Sequence, residues 1–357
     1  MSIADIRSAD MADLVNLMAS LGERPFRAKQ IFHRIHAKHA AGFDEMTDLG
    51  KDLRAKLADV GCLSAIRIVQ KWESSIDGTI KYLFAFENSS IIVKGGQIVA
   101  PVFAEAVLMR HSYGDTVCVS SQAGCRMGCK FCASTVDGLA RSLTAGEMAG
   151  QIYAIADDAG ANVTRAVVMG CGEPLDNYDS TIRFIRLMND ANGHHMSQRN
   201  ITVSTCGLVD EMRRLMKENL QITLAVSLHA PNNAIRRAIM PIANKYPLED
   251  LLAACREYGN RTKRRVTFEY ALIAGVNDDP SHARELAGKL KHMLCHVNLI
   301  PVNEIAERDF KKSKDASVTN FADALQARGL EVTIRKRHGA DIEAACGQLR
   351  QNQAISE

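Results

Sequence analysis

The spacing of apolar and polar positions changes character twice along this chain. Up to about residue 60 it is helical. In Asp10-Met-Ala-Asp-Leu-Val-Asn-Leu-Met18 the apolar residues recur every three to four positions, and Gly22 supplies a stop. Pro25 can open a second helix, with Phe26, Ile31, Phe32 and Ile35 along one face and Arg24, Arg27, Lys29, Arg34 and Lys38 over the rest. Between residues 66 and 110 the pattern becomes strand-like. Thr79–Phe86 and Ala104–Arg110 read as strands with Gly- and Asn-bearing turns between them.

From about residue 115 onward, short apolar runs alternate with helical stretches. Strands are predicted near Val117–Ser120, Ala166–Met169, Ile201–Ser204, Ile222–Val226, Val266–Tyr270, His296–Ile300 and Val332–Ile334. Helices are predicted between them, among others over Ala145–Ile155, Thr181–Met188, Leu248–Tyr258 and Ala316–Ala327. Repeated βα units demand parallel strands and right-handed crossovers, so the expected fold class is α/β, an open or closed barrel. The expected division is a helical unit over 1–62, a β-rich connection over 63–112, the barrel over 113–340 and a terminal segment over 341–357. In such barrels chemistry belongs at the carboxyl ends of the strands.

Composition narrows the class without naming a function. The 357 residues are 46% hydrophobic, enough for a large core, and the net charge of +3 neither demands nor forbids a nucleic-acid partner. The positive charge is uneven, gathered in Arg261-Thr-Lys-Arg-Arg265, Lys311-Lys-Ser-Lys314 and Arg335-Lys-Arg-His338; each run on its own reads as a solvated face. The amino terminus, Met1-Ser-Ile-Ala-Asp-Ile-Arg7, carries no leader pattern, and no segment reaches the length of a membrane span. The expectation is a soluble cytoplasmic protein without a membrane partner. Its ten cysteines then serve metal, redox chemistry or packing rather than structural disulfides.

Three of those cysteines are grouped. Cys125, Cys129 and Cys132 lie in Gly124-Cys-Arg-Met-Gly-Cys-Lys-Phe-Cys-Ala133, spaced C-x3-C-x2-C just after the first predicted barrel strand. Three thiolates on one loop can hold three irons of a [4Fe–4S] cluster, leaving the fourth open to a ligand that is not protein. A closed zinc site would want a fourth Cys or His at short spacing, and none follows. An amine-and-carboxylate ligand such as S-adenosylmethionine (SAM) suits the open iron.

Other positions are weaker by themselves. Gly170-Cys-Gly-Glu-Pro-Leu175 follows a predicted strand; Gly172 lets a ligand approach the backbone, and Glu173 can accept from an amino group, although a surface turn is the commoner use. Ser204, the run Ser227-Leu228-His229, and Asn303 sit at strand ends, where polar residues usually cap the next helix. Cys346 and Cys118 read as buried small residues, and Glu105 as a solvent-facing strand carboxylate.

The longer string Cys118-Val-Ser-Ser-Gln-Ala-Gly, then the cysteine triplet and Ala133-Ser-Thr, resembles the radical SAM superfamily, and within it the RlmN/Cfr group of RNA adenosine methyltransferases. The likeness runs on to Asp341-Ile-Glu-Ala-Ala-Cys-Gly-Gln-Leu349. It implies a partial (β/α)6-type barrel with a small RNA-binding helical unit in front. It implies a cluster on Cys125, Cys129 and Cys132, and SAM held by Gly172, Glu173, Ser204, Ser227, Leu228, His229 and Asn303. It further implies that the matching Cys346 is methylated by one SAM, and that a second SAM supplies the radical that takes hydrogen from that methyl group, so that the carbon adds to the adenine ring. By the same likeness Cys118 would resolve the crosslink through a transient disulfide, and Glu105 would remove the ring proton. The implied substrates are 23S rRNA and tRNA, the implied reaction C2 methylation, and the electron source a reductant such as flavodoxin. C8 methylation of the same rRNA adenosine, as in the Cfr branch, and radical chemistry on a small molecule or peptide are the alternatives. Cys171 stands where the group usually has Met, and reads as a small apolar substitution.

Overall fold

A computed structural model describes residues 5–87 and 101–350. The first four residues of the stretch read for a leader, the Gly- and Asn-bearing stretch before the second predicted strand, and the last seven residues lie outside the described residues.

The amino-terminal helices form as their periodicity predicts. α1 (Met11–Ser20) starts from a capping box in which Asp10 and Asp13 exchange side-chain and backbone hydrogen bonds, and buries Leu14, Leu17 and Met18. α2 (Phe26–His36) buries Ile31, Phe32 and Ile35, each worth about 1.5–3 kcal/mol when fully removed from water. Phe26 departs from the expected face: it is 52% exposed, with the Arg27 guanidinium 4.9 Å above its ring. It sits in the first turn, ahead of the surface that packs. α3 (Lys51–Val60) closes the unit. The segment before α1 is tied to the rest of the molecule by polar contacts, Asp5 accepting from Thr144 at 2.7 Å and Ser8 from the Gly146 amide at 2.7 Å.

Three strands follow, β1 (Ile66–Glu73), β2 (Ile80–Phe86) and β3 (Val102–Met109). They pair antiparallel with one another and with β4 (Asp115–Cys118). The β-rich stretch expected as a connection is therefore one wing of the main sheet. From β4 the sheet runs parallel through β7 (Val163–Val168), β8 (Ile201–Thr205), β9 (Thr223–Ser227), β10 (Val266–Leu272), β11 (Cys295–Pro301) and β12 (Val332–Ile334). Every strand predicted in this half is present within a few residues. The crossovers carry α4 (Ala145–Ala159), α5 (Tyr178–Asn189), α6 (Val209–Leu215), α7 (Asn233–Ile239), α8 (Leu248–Thr262), α9 (Pro280–Leu290) and α10 (Asp315–Gln326). A separate two-stranded ribbon, β5 (Gln122–Gly124) and β6 (Leu139–Ser142), carries the cysteine loop at its tip.

The parallel half curls strongly. β7 and β12 are five strand spacings apart, about 24 Å in a flat sheet. Yet Arg335, just past β12, places Nη1 3.6 Å from Sδ of Met169, just past β7. That curvature points the carboxyl ends of β7 to β12 at one space and leaves the barrel open on one side.

Candidate active site

The cysteine loop is anchored before any ligand is considered. The Cys125 amide donates to the Gly138 carbonyl at 2.8 Å across the ribbon, and Thr135 Oγ1 bonds the Cys129 and Cys132 carbonyls at 3.0 and 2.9 Å. Lys130 N donates to Ile239 O at 2.9 Å, so α7 fixes the other flank. Cys129 packs in an apolar patch with Ile239, Met240 and Ile273. Burial pushes all three thiols above their ordinary range. Among the described residues no group of three His, Cys, Asp or Glu side chains is arranged to hold a single metal ion. The three thiols line the wall of one cavity, a donor set of the kind that holds an iron–sulfur cluster.

That cavity, about 150 Å³, is where the strand ends meet. Gly172 and Glu173 reach it from the end of β7, Ser204 from β8, Ser227 and His229 from β9, and Asn303 from β11. Leu228 does not: its side chain is fully buried in the main core, and only its backbone takes part, the amide donating to Glu269 O at 3.0 Å. Gly172 has φ +103°, and a Cβ there would lie 2.6 Å from Gln122 Cβ, so the turn needs glycine on two counts. Gln122 in turn accepts from the Glu173 amide at 2.9 Å.

Glu173 is only 4% exposed, unlike the surface carboxylate that the turn suggested. Oε2 accepts from the Cys206 amide at 2.7 Å and Oε1 from the Leu175 amide at 3.1 Å. Burial raises its pKa while these donors oppose the rise, leaving a carboxyl poised to meet a cationic amine. His229 is left-handed at φ 55°, and its Nδ1 accepts from the Ala271 amide at 2.8 Å. That bond puts the ring proton on Nε2, and burial with Arg236 nearby lowers the pKa to about 3. His229 is thus a neutral donor.

Cys346 sits between two cavities. The second, about 280 Å³, is lined by Cys118 on one side, and Cys346, Asn303, Met169 and Arg335 line both. The terminal segment that brings Cys346 here is pinned along its length. Asp341 accepts from Ser74 Oγ at 2.6 Å, Gly347 O from the Ala133 amide at 2.8 Å, and Leu349 O from Ser134 Oγ at 2.7 Å. Asn303 Nδ2 donates to the Cys346 carbonyl at 3.0 Å. Cys118 is buried, which pushes its thiol well up, with Cys346 adding to the rise and Arg335 opposing it.

Glu105 lines neither cavity. It is fully buried in β3, paired with the equally buried Lys81 at 3.1 Å, and Oε2 accepts from the Arg350 amide at 3.0 Å. The expectation of a solvent-facing carboxylate fails because β3 is an interior strand, covered by β2 and β4 on its edges and by the terminal segment. Burial raises the Glu105 pKa and Lys81 partly offsets that. Cys171 is also fully buried, its thiol donating to Arg350 O at 3.2 Å, and its pKa is pushed up to about 12.

Two further residues of the site carry no local signal. Arg335 stands in a basic run that reads as solvated, but lines both cavities and lies 3.6 Å from Glu269, which Asn298 also holds at 3.0 Å. Each directly follows or lies within a barrel strand near its carboxyl end, the position that could have flagged it.

These features define a radical SAM enzyme, and residues 119–287 match the radical SAM superfamily. Such enzymes use a [4Fe–4S] cluster and SAM, and the loop and cavity fit both. Residues 4–63 match the ribosomal RNA large subunit methyltransferase N-terminal domain. The chain is 48% identical to the probable dual-specificity RNA methyltransferase RlmN of Lachnoclostridium phytofermentans over 98% of its own length and 94% of that protein. Against the protein of the same description from Alkaliphilus oremlandii it is 49% identical over 97% of each chain. A solved radical SAM methyltransferase from Sphaerobacter thermophilus superposes with a TM-score of 0.90 at 43% identity, over 98% of this chain and 100% of that one. The chain belongs to the RlmN family of radical SAM RNA methyltransferases. Among the described residues no helix is long and apolar enough to cross a membrane.

Proposed function

We propose that this protein methylates C2 of a specific adenosine in 23S rRNA, and of an anticodon-loop adenosine in tRNA, through a methyl group carried on Cys346. The observation that carries the reading is the placement of Cys346 between the cavity of the cluster cysteines and the cavity of Cys118. A thiol so placed can take a methyl group on one side and yield it on the other. Two SAM molecules per turnover are required, one for the methyl group and one for the radical.

Cys125, Cys129 and Cys132 would hold the cluster, which supplies with SAM the radical that C2 needs, since that carbon offers no lone pair for ordinary methyl transfer. Glu173 accepts from the SAM amino group, Gly172 leaves room for it, and Ser204, Ser227 and the His229 Nε2–H are polar partners at the other strand ends. Leu228 contributes backbone only. Asn303 fixes the Cys346 backbone over the cavity. Once the adduct has lost its ring proton and one electron, which the oxidised cluster would accept, Cys118 attacks Cys346 Sγ: a sulfur–sulfur bond forms, the sulfur–methylene bond to the RNA breaks, and its electron pair stays with the product carbon, which takes a proton. A dithiol reductant must restore both thiols, and an electron donor such as flavodoxin must feed the cluster. In this reading Glu105 accepts the ring proton. Its raised pKa suits that task, and because it lines neither cavity the role requires the terminal segment at Arg350 to move off it.

The test is digestion of RNA exposed to the reduced, cluster-loaded protein and SAM. The expected product is 2-methyladenosine; 8-methyladenosine would assign the Cfr-type reaction instead. Full activity in Cys346→Ala would point to a small-molecule or peptide substrate.

A further inference from the structure

The barrel's open side carries a cluster of aromatic and cationic groups that none of these steps uses. The turn between β3 and β4 holds Tyr113, a large side chain 62% exposed. The His111 ring stacks on it, 4.8 Å between centroids and 9° between planes, and the Arg165 guanidinium of β7 lies 4.7 Å from its centroid. His111 also meets His338 edge-on at 5.5 Å. His338 follows β12 and lines the second cavity with Lys336, Arg337, Cys118 and Cys346. His338 therefore links the stack to the second cavity, whose lining His111, Tyr113 and Arg165 do not join.

The platform is held in place. Gly114 donates to His111 O at 3.1 Å to close the turn, and has φ +114° with its Cβ position 2.3 Å from Thr164 Oγ1, so the turn presses against β7. The nearby carboxylates are already engaged: Asp77 with His338 at 3.3 Å and Asp115 with Arg110 at 3.4 Å. Arg165, Lys336 and Arg337 are exposed and make no carboxylate ion pair among the described residues. An exposed planar stack flanked by cations without a carboxylate partner matches an unpaired nucleobase and its phosphates, because every base has a π-face and the backbone is anionic.

We propose that His111, Tyr113 and Arg165 form a stacking platform for an unpaired RNA base beside the target adenosine as it enters through the open side of the barrel. This rests on RNA being the substrate. The platform holds the neighbouring base while the target leaves its own stack for the cavity.

The probes are an anticodon stem-loop RNA and its fully paired stem as a duplex. Tyr113→Ala should weaken stem-loop binding roughly ten-fold and leave duplex binding unchanged, with a thermal midpoint equal to wild type. Tyr113→Phe should restore binding. With the unmodified protein, 4-thiouridine in the loop should crosslink to the peptide that carries Tyr113. Unchanged stem-loop affinity in Tyr113→Ala, equal loss for stem-loop and duplex, or crosslinks found only elsewhere would each overturn the platform. Failure of the wild-type protein to methylate any RNA would count against the function itself, and is read in a separate assay.

Discussion

Lys81 and Glu105 form an ion pair 3.1 Å long with 2% and 0% of their side chains exposed, and the pair makes a measurable claim. At an effective dielectric of about 20 the attraction is on the order of 5 kcal/mol, which offsets part of the cost of burying both charges. Lys81→Met leaves the carboxylate alone and should destabilise by about 3–5 kcal/mol at about pH 8. The loss should shrink as pH falls, because a lone buried Glu105 takes up a proton instead of bearing an uncompensated charge. Its pKa is already raised above the ordinary carboxylate value and rises further without Lys81. The sign is fixed: a carboxyl with a raised folded pKa costs stability as pH climbs through that pKa. The double change Lys81→Met with Glu105→Gln should recover most of the loss. Trp72 is the chain's single tryptophan, pairs across from Lys81 in the β1–β2 register, and has the ammonium 4.7 Å from its ring. Urea unfolding followed by Trp72 fluorescence therefore reads the pair directly. A cost below about 1 kcal/mol at every pH, or a double variant as unstable as the sum of the singles, would mean that Lys81 does not compensate a buried Glu105 charge.

Two further outcomes follow from the same structure. Gly172→Ala forces a left-handed alanine against Gln122, at about 1–3 kcal/mol of backbone strain, and should lower SAM affinity of the cluster-loaded protein at least ten-fold in equilibrium dialysis; unchanged affinity would remove Gly172 from the SAM turn. His36, buried against Tyr153 at 2.8 Å, has its pKa lowered to about 3 by burial and by Arg7, so only the unfolded chain takes its proton between about pH 3 and 6.5. Its contribution is lost as pH falls through that window, and His36→Phe should flatten the stability–pH slope by about 1.4 kcal/mol per pH unit relative to wild type. An unaltered slope would mean that His36 is charged in the fold.

The parallel strands and the cysteine loop were legible because each is a local signal: apolar runs of strand length, and three thiols within eight residues. What could not be read was whatever depends on pairing across the sheet. Nothing near β1–β3 says that they join the barrel sheet rather than bridge two units. For the same reason Glu105 and Glu173 look exposed in the sequence, since a carboxylate in a strand or turn usually is, and only the covering strands and terminal segment bury them. Arg335 was lost in its neighbours: Lys336 and Arg337 point to solvent, while Arg335 turns inward to Glu269. Cys346 illustrates the division most sharply. Its local sequence describes a small buried residue, and its place between two cavities comes from contacts with Ser74, Ser134 and Asn303, far away in the chain.

The placement of Cys346 can be tested directly. Intact-mass and peptide mass spectrometry of protein incubated with SAM and reductant, without RNA, should find one added methyl or methylene group, located on Cys346. In Cys118→Ala supplied with RNA, the same peptide should remain crosslinked to an adenosine. An unmodified Cys346, or a modification carried by Cys171 or Cys118 in its stead, would contradict the central claim that the thiol between the two cavities carries the methyl group.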